Sequence, residues 1–353
     1  MLTMTAHERH QHDENEASED LPRVLIPKLP ISLSALGDRA LASDKFRLLK
    51  AYESNLPLPQ FLAAHSRSVS AIVAAPSSPV TADLISLLPA LRLVVTTSIG
   101  VDHVDVDECR RRGISVTNAG SVFSEDVADT AVGLLIDVLR RISASDRFVK
   151  RGLWPIRGDY PLGSKLRGKR IGIVGLGSIG LETARRLEAF GCRLSYTSRT
   201  QKHSIPYRFY ADTRDLAANS DALILCCPLT EQTRHMVNKE VFSAMGKEGV
   251  IINVGRGGVI DQKEMVHCLM EGEIAGAGLD VFENEPNVPK ELFDLDNVVL
   301  LPHTSAITLQ GFEMLRNILV GNLEAFFSGK PLLTPVLDCQ HLLTCSPSCI
   351  DSK

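Results

Sequence analysis

From Pro22 onward, short apolar runs alternate with amphipathic stretches along most of the chain. The runs 23–26, 71–75, 93–97 and 115–118 are too short for helices and apolar at successive positions, which is the pattern of strands buried on both faces. Between them, 81–88 opens on Thr81 as an N-cap and 106–112 is closed by Gly113, so both segments are predicted helices. A long helix is predicted from Ser124, with Glu125 and Asp126 in its first turn and Arg140 and Arg141 in its last, charges that suit the helix dipole. Its middle, 127–139, is apolar on nearly every face and has to be buried on more than one side, as an inter-domain core helix, a subunit interface or both. Residues 151–168 hold Trp154 among prolines and glycines and read as a connecting loop, with Trp154 as a packing anchor.

A second series follows, with strands at 170–174, 193–197, 222–226, 250–254, 277–280 and 298–301 and helices at 178–190 and 262–271. The final helix, 308–327, sets Phe312, Leu315, Leu319, Leu323 and Phe326 on one stripe. Alternation of this kind builds parallel sheets with crossover helices, so the predicted fold class is α/β. With 353 residues, the chain has room for about two such domains.

Composition narrows the function classes. At 44% hydrophobic and 23% charged residues the chain is ordinary globular material, and runs such as 131–136 and 222–227 fall far short of the roughly 20 residues that span a bilayer. A net charge of −4 gives no general attraction to nucleic acid or anionic lipid, so neither nucleic acid nor membrane is an expected partner. The eight cysteines are scattered without a C-x-x-C and read as reduced thiols, with Cys226-Cys227 as apolar filler at a strand end or a redox device. Residues 1–20 carry His7, His10 and His12 among many acids and read as a disordered tail rather than a metal site or leader; no metal is expected, and a cytoplasmic location is.

Chemistry enters at Gly175-Leu176-Gly177-Ser178-Ile179-Gly180, which follows a predicted strand and opens a predicted helix. In that setting Gly175 permits a tight turn, Gly177 lets backbone approach a pyrophosphate, and Gly180 lets the helix pack on the strand. The helix start at Ser178, Ile179 and Gly180 then offers free N–H groups to the phosphates. About twenty residues on, an NAD site would place an acid on the ribose 2′-hydroxyl. Here the strand runs into Ser198-Arg199-Thr200 with no acid, and Arg199 can fork onto a 2′-phosphate, so NADPH (NADP+) is the predicted cofactor.

Three further strand ends carry Arg256, Glu285 and His303. Ligands of doubly wound sheets bind outside the carboxyl ends of strands, and these are the groups that reduction of a 2-keto acid requires. His303 as imidazolium would protonate the ketone oxygen, Glu285 would favour that charged form, and Arg256 would hold the substrate carboxylate.

With these motifs in this order, residues 22–336 resemble the D-2-hydroxyacid dehydrogenase family, and within it most of all plant glyoxylate/hydroxypyruvate and hydroxyphenylpyruvate reductases. The resemblance implies a Rossmann-type cofactor domain at 119–302 and a flavodoxin-like substrate-binding domain at 21–118 and 303–337, with the active site in the cleft and a tail at 338–353. It makes Arg256, Glu285 and His303 catalytic and adds Cys227, Pro228, Thr233, Val254 and Asp280 as cofactor neighbours. It gives the substrate Ile99, Gly100 and Val101 beside Arg256 and His303, and it implies a homodimer joined through the cofactor domain. The implied activity is NADPH-dependent reduction of glyoxylate, hydroxypyruvate or hydroxyphenylpyruvate. A catalytically idle nucleotide-sensing module and an NAD-linked phosphoglycerate-type dehydrogenase are the other readings of this fold. After the histidine many relatives read x-Gly-Ser, whereas this chain has Thr304-Ser305-Ala306.

Overall fold

The structure, a computed structural model, describes residues 21–37 and 41–340. The tail expected at 1–20, and all but the first three residues of the one expected at 338–353, lie outside those residues. The described residues divide into two compact units, one of those up to 122 and from 308 onward and one of residues 123–307.

In the first unit, β1 (Arg23–Ile26), β2 (Arg47–Lys50), β3 (Val69–Ala74), β4 (Leu93–Thr96) and β5 (Ser115–Thr117) are parallel, in the order β2-β1-β3-β4-β5. That is the flavodoxin-like order, and the last strand of the chain, β13 (Pro335–Leu337), adds to β5 antiparallel at the edge. All six residues of β3 are buried, Val69 and Ser70 together with the apolar stretch 71–74, whereas the edge strand β2 has two leucines between Arg47 and Lys50 and gives no such signal. Thr308 caps the final helix Leu309–Phe327 by accepting from the Gly311 N–H, and the whole predicted stripe from Phe312 to Phe326 is buried. Each of those side chains contributes about 1.5–3 kcal/mol of burial. Cys339, expected in a tail from 338, is buried, and its N–H donates to Ser115 Oγ, so the ordered chain runs past that boundary.

The second unit is a seven-stranded parallel sheet of β6 (Arg170–Val174), β7 (Arg193–Thr197), β8 (Arg208–Phe209), β9 (Ala222–Leu225), β10 (Val250–Asn253), β11 (Gly276–Leu279) and β12 (Val298–Leu300). Its order, β12-β11-β10-β9-β6-β7-β8, is the doubly wound dinucleotide-fold order with one strand more, and the order reverses between β6 and β9. The greasy helix Ser124–Arg140 packs on the helix Ser178–Ala189 and on β10 and β11 of this same unit, so it is a core helix of one unit. Glycines on β11 make room for it. A Cβ at Gly276 would lie 2.9 Å from Val138, and one at Gly278 would lie 3.0 Å from Leu134. The segment expected as one loop from 151 holds a short helix, Trp154–Arg157, and an unexpected helix, Ile142–Lys150, precedes it. Trp154 is 60% exposed.

The units divide a few residues later than 118 and 302 for a physical reason. Asn118 N–H donates to Thr334 O and Gly120 N–H to Asn118 Oδ1, which ties 118–120 to the first unit. His303 N–H donates to Asp280 O, which ties 303 to the second. His303 therefore belongs to the unit that carries Glu285, and not to the start of the other.

Candidate active site

The glycine turn leaves β6 as expected, and its three glycines are needed for three reasons. Gly175 has φ 92°, and a Cβ on it would sit 2.7 Å from the Cys227 nitrogen. A Cβ on Gly180 would sit 2.3 Å from Gly175 O, so the helix Ser178–Ala189 can lie against the strand only without one. At Gly177 a Cβ would meet nothing within 4 Å, so the backbone there faces open space beside a helix N-terminus. A turn needing glycine only for shape would not leave that cradle, and the residues fit a dinucleotide pyrophosphate.

β7 lies next to β6 with Thr197 level with Val174, and Gly175 N–H donates to Thr197 O at 2.9 Å. Ser198-Arg199-Thr200 thus starts beside the turn. Ser198 Oγ closes the bend on Thr200 O at 2.7 Å, and Arg199 is exposed, its guanidinium bonded to no group among the described residues. An uncommitted guanidinium at this strand end fits a 2′-phosphate. Cys227 and Val254 are buried at the ends of β9 and β10. Burial pushes the Cys226 thiol up to about 12 and the Cys227 thiol up to about 11, so both stay protonated and the pair is filler rather than a redox device. Thr233 Oγ1 donates to Pro228 O at 2.7 Å and accepts the Thr230 N–H, so its hydroxyl holds the turn that follows β9.

β10, β11 and β12 are neighbours in register, Asn253 level with Leu279 and Leu279 with Leu300. Their carboxyl ends therefore deliver Arg256, the loop to Glu285, and His303 to one end of the sheet. His303 Nδ1–H donates to Glu285 Oε2 at 2.7 Å, which fixes the tautomer and leaves Nε2 as the second ring nitrogen. Glu285 Oε1 also accepts the Phe282 N–H at 3.0 Å. Partial burial works against the charge on Glu285, but the His303 bond, the Phe282 N–H and the charge of Arg256 outweigh it, holding the carboxyl below its ordinary range. Asn253, fully buried, accepts the Gly255 N–H and donates to Arg256 O, shaping the Arg256 loop.

Two residues anchor this cluster in a way that the sequence does not show. Asp280 is fully buried, and its carboxylate accepts the N–H groups of Thr304 at 2.7 Å and Ser305 at 3.1 Å. It thereby holds His303 at φ 53°, a left-handed conformation that a non-glycine residue keeps only when its surroundings impose it. Ser305 itself is not at positive φ, so its backbone accepts a side chain where many relatives have glycine. His235, which pairs with Glu283, is the second.

In the first unit, the bend 98–101 after β4 is held by Ser98 Oγ donating to Gly100 O and by Asn118 Nδ2 donating to Ile99 O, each at 2.8 Å. Among the described residues, the backbone N–H groups of Ile99, Gly100 and Val101 donate to no protein acceptor. Such a run of free donors suits an anion. No group of three His, Cys, Asp or Glu among the described residues is placed to hold a metal ion, and no helix among them is long and apolar enough to cross a membrane.

Comparison with known proteins agrees with this geometry. Residues 132–305 match the model for the D-isomer specific 2-hydroxyacid dehydrogenase NAD binding domain. The chain is 55% identical over 321 residues to a glyoxylate/hydroxypyruvate reductase of Arabidopsis thaliana, covering 91% of this chain and 98% of that protein. It is 48% identical over 293 residues to the hydroxyphenylpyruvate reductase of Plectranthus scutellarioides, covering 83% and 93%. Among solved structures, the NADPH-dependent glyoxylate/hydroxypyruvate reductase of Sinorhizobium meliloti, in complex with NADP and malonate, superposes with a TM-score of 0.80 at 39% identity, covering 89% of this chain and 96% of that one. With its fold, its nucleotide turn and its overall likeness in agreement, the chain belongs to the D-isomer specific 2-hydroxyacid dehydrogenase family of oxidoreductases.

Proposed function

We propose that the chain is an NADPH-dependent reductase of small 2-keto acids, with glyoxylate and hydroxypyruvate first and hydroxyphenylpyruvate next. The observation that carries this reading is the 2.7 Å bond from His303 to Glu285 at the strand end next to that of Arg256. The named relatives act on these same acids. When bound, the reduced nicotinamide supplies the hydride for C2 of the keto acid. Gly175, Gly177 and Gly180 with the helix start behind them would hold its pyrophosphate, Ser198, Arg199 and Thr200 its 2′-phosphate, and Cys227, Pro228, Thr233, Val254 and Asp280 would border it.

The chain's own groups do the rest. Glu285, ionised, accepts from Nδ1 of His303 and orients the ring, so that Nε2–H of the imidazolium can pass its proton to the ketone oxygen as negative charge develops there. Arg256 pairs with the substrate carboxylate and polarises the ketone, a task for a planar guanidinium that keeps its charge. In the first unit, the free N–H groups of Ile99, Gly100 and Val101 suit a carboxylate. In the opposite direction, neutral His303 takes the proton back at Nε2. NADPH oxidation followed by absorbance, with each of the three acids, tests the assignment, and no turnover on any of them would end it.

We further assign the exposed apolar side chains Trp154, Ile156 and Leu162 of the second unit to a homodimer contact, and the protein to the cytoplasm. Light scattering on the purified chain is expected to give twice the 38.5 kDa monomer mass, and a monomer at micromolar concentration would contradict it. A fluorescent fusion in cells of the source tissue is expected to fill the cytosol; an organellar pattern would refute that location.

A further inference from the structure

The loop that carries Glu285 is held from a second side. His235 lies just past the Thr230–Thr233 turn, and its Nε2–H donates to Glu283 Oε1 at 2.7 Å. Its backbone is left-handed, φ 50°, as at His303. The surroundings that impose this are the neighbouring segment after Arg256: His235 N–H donates to Gly258 O at 2.9 Å, and Val237 N–H donates to Val259 O at 3.1 Å. Glu283 closes the circuit, its N–H donating at 3.0 Å to Oε1 of Gln262, the first residue of the helix Gln262–Met270. Gly257 lies so close beneath the same loop that a Cβ on it would sit 1.9 Å from the Phe282 carbonyl carbon. The segment after Arg256, the turn at His235 and the loop 282–285 are thus tied to one another, and Glu283 stands two residues before Glu285.

We propose that His235 and Glu283 are positioning residues for the keto-acid reduction: their pair clamps the loop 282–285 against the Arg256 segment and so sets where Glu285 meets His303. The inference rests on the reading of His303 and Glu285 as the acid pair. Glu285 Oε1 accepts the Phe282 N–H, so a shift of the backbone at 282–283 carries the carboxylate with it. Misplacement of a catalytic group by about 1 Å can lower a rate by about a hundredfold. The pair itself is partly exposed, 40% at His235 and 26% at Glu283, so as an isolated ion pair it adds little to stability. A positioning role and a merely structural one therefore separate: the first appears in kcat, the second in Tm.

The test uses the full chain and the variants His235→Ala, His235→Gln, Glu283→Gln and the His235→Ala/Glu283→Gln double variant, with hydroxypyruvate and NADPH. His235→Ala is expected to lower kcat by about tenfold or more while KM for NADPH and Tm stay close to the parent. His235→Gln keeps an N–H near the position of Nε2 and is expected to recover most of the loss, and the double variant is expected to be no worse than the poorer single one. Amide exchange of a peptide covering 281–286, followed by mass spectrometry without substrate, is expected to quicken in His235→Ala. An unchanged kcat in His235→Ala, or losses that multiply in the double variant, would overturn the proposal. If the parent protein turns over no keto acid, the functional reading falls instead, and the exchange measurement alone decides: faster exchange supports the clamp and unchanged exchange overturns it.

Discussion

The glycine turn at 175–180 and the cluster at the ends of β10, β11 and β12 solve opposite problems within one sheet. The turn works by leaving side chains out: a Cβ at Gly175 or Gly180 would strike backbone, and one at Gly177 would project into the open space beside the helix start. The cluster works by putting side chains in and then fixing them, with Glu285 holding Nδ1 of His303 and Asp280 holding the backbone that follows. The first is local in sequence, six consecutive residues between a strand and a helix. The second is assembled by topology from residues spread between 253 and 305. On the proposed reading, binding falls to the local device and proton transfer to the distributed one, so mutations in the two should separate into distinct phenotypes.

Removal of the proton donor should have the largest effect. His303→Ala is expected to lower kcat by about 10²–10⁴-fold. Cofactor affinity, measured by fluorescence titration, should stay near that of the parent; a lost affinity would mean that the two regions are not separable.

The turn can be divided against itself. Gly175→Ala places a Cβ at a positive φ and against the Cys227 backbone, so urea unfolding should show a loss of about 1–3 kcal/mol. Gly177→Ala meets no protein atom and should leave unfolding unchanged, while cofactor Kd rises by about tenfold to a hundredfold. The reverse pattern would show that the open side of Gly177 is not where phosphate sits.

Arg199→Ala should lower kcat/KM for NADPH by about tenfold to a hundredfold, the loss of one or two charge-assisted hydrogen bonds, and leave NADH kinetics unchanged. An equal loss with both cofactors would remove Arg199 from the 2′-phosphate.

The smallest effect concerns pH and stability. The native value of Glu285 is depressed, so the stability it contributes is complete above the ordinary glutamate value of about 4.3 and is lost as pH falls through the depressed native value. Glu285→Gln should therefore be less stable than the parent at pH 7, with a gap that closes as the pH is lowered below 4. Urea midpoints at two pH values measure this, and a gap that widens toward acid would contradict the assigned direction.

The contrast also explains what the sequence disclosed. Gly175–Gly180, the all-buried β3 and the final helix from Leu309 show themselves through continuous local patterns, and the structure has them where the pattern placed them. The edge strand β2 and the helices Ile142–Lys150 and Lys239–Met245 were not legible, because a half-exposed or short element carries few apolar positions to set a period. In the site, Arg256, Glu285 and His303 were legible as chemistry at strand ends, and their meeting depended on neighbouring strands that no local pattern orders. His235 was not legible at all and Asp280 only as a cofactor neighbour, because both act by bonding residues distant in sequence, Thr304 and Ser305 for Asp280 and Glu283 for His235.

The central claim is most directly tested by a panel of glyoxylate, hydroxypyruvate and hydroxyphenylpyruvate against NADPH and NADH with the purified full chain. Turnover of at least one of these acids, with kcat/KM higher for NADPH than for NADH, is the predicted result. No oxidation of either cofactor with any of the three, or a preference for NADH, would contradict it.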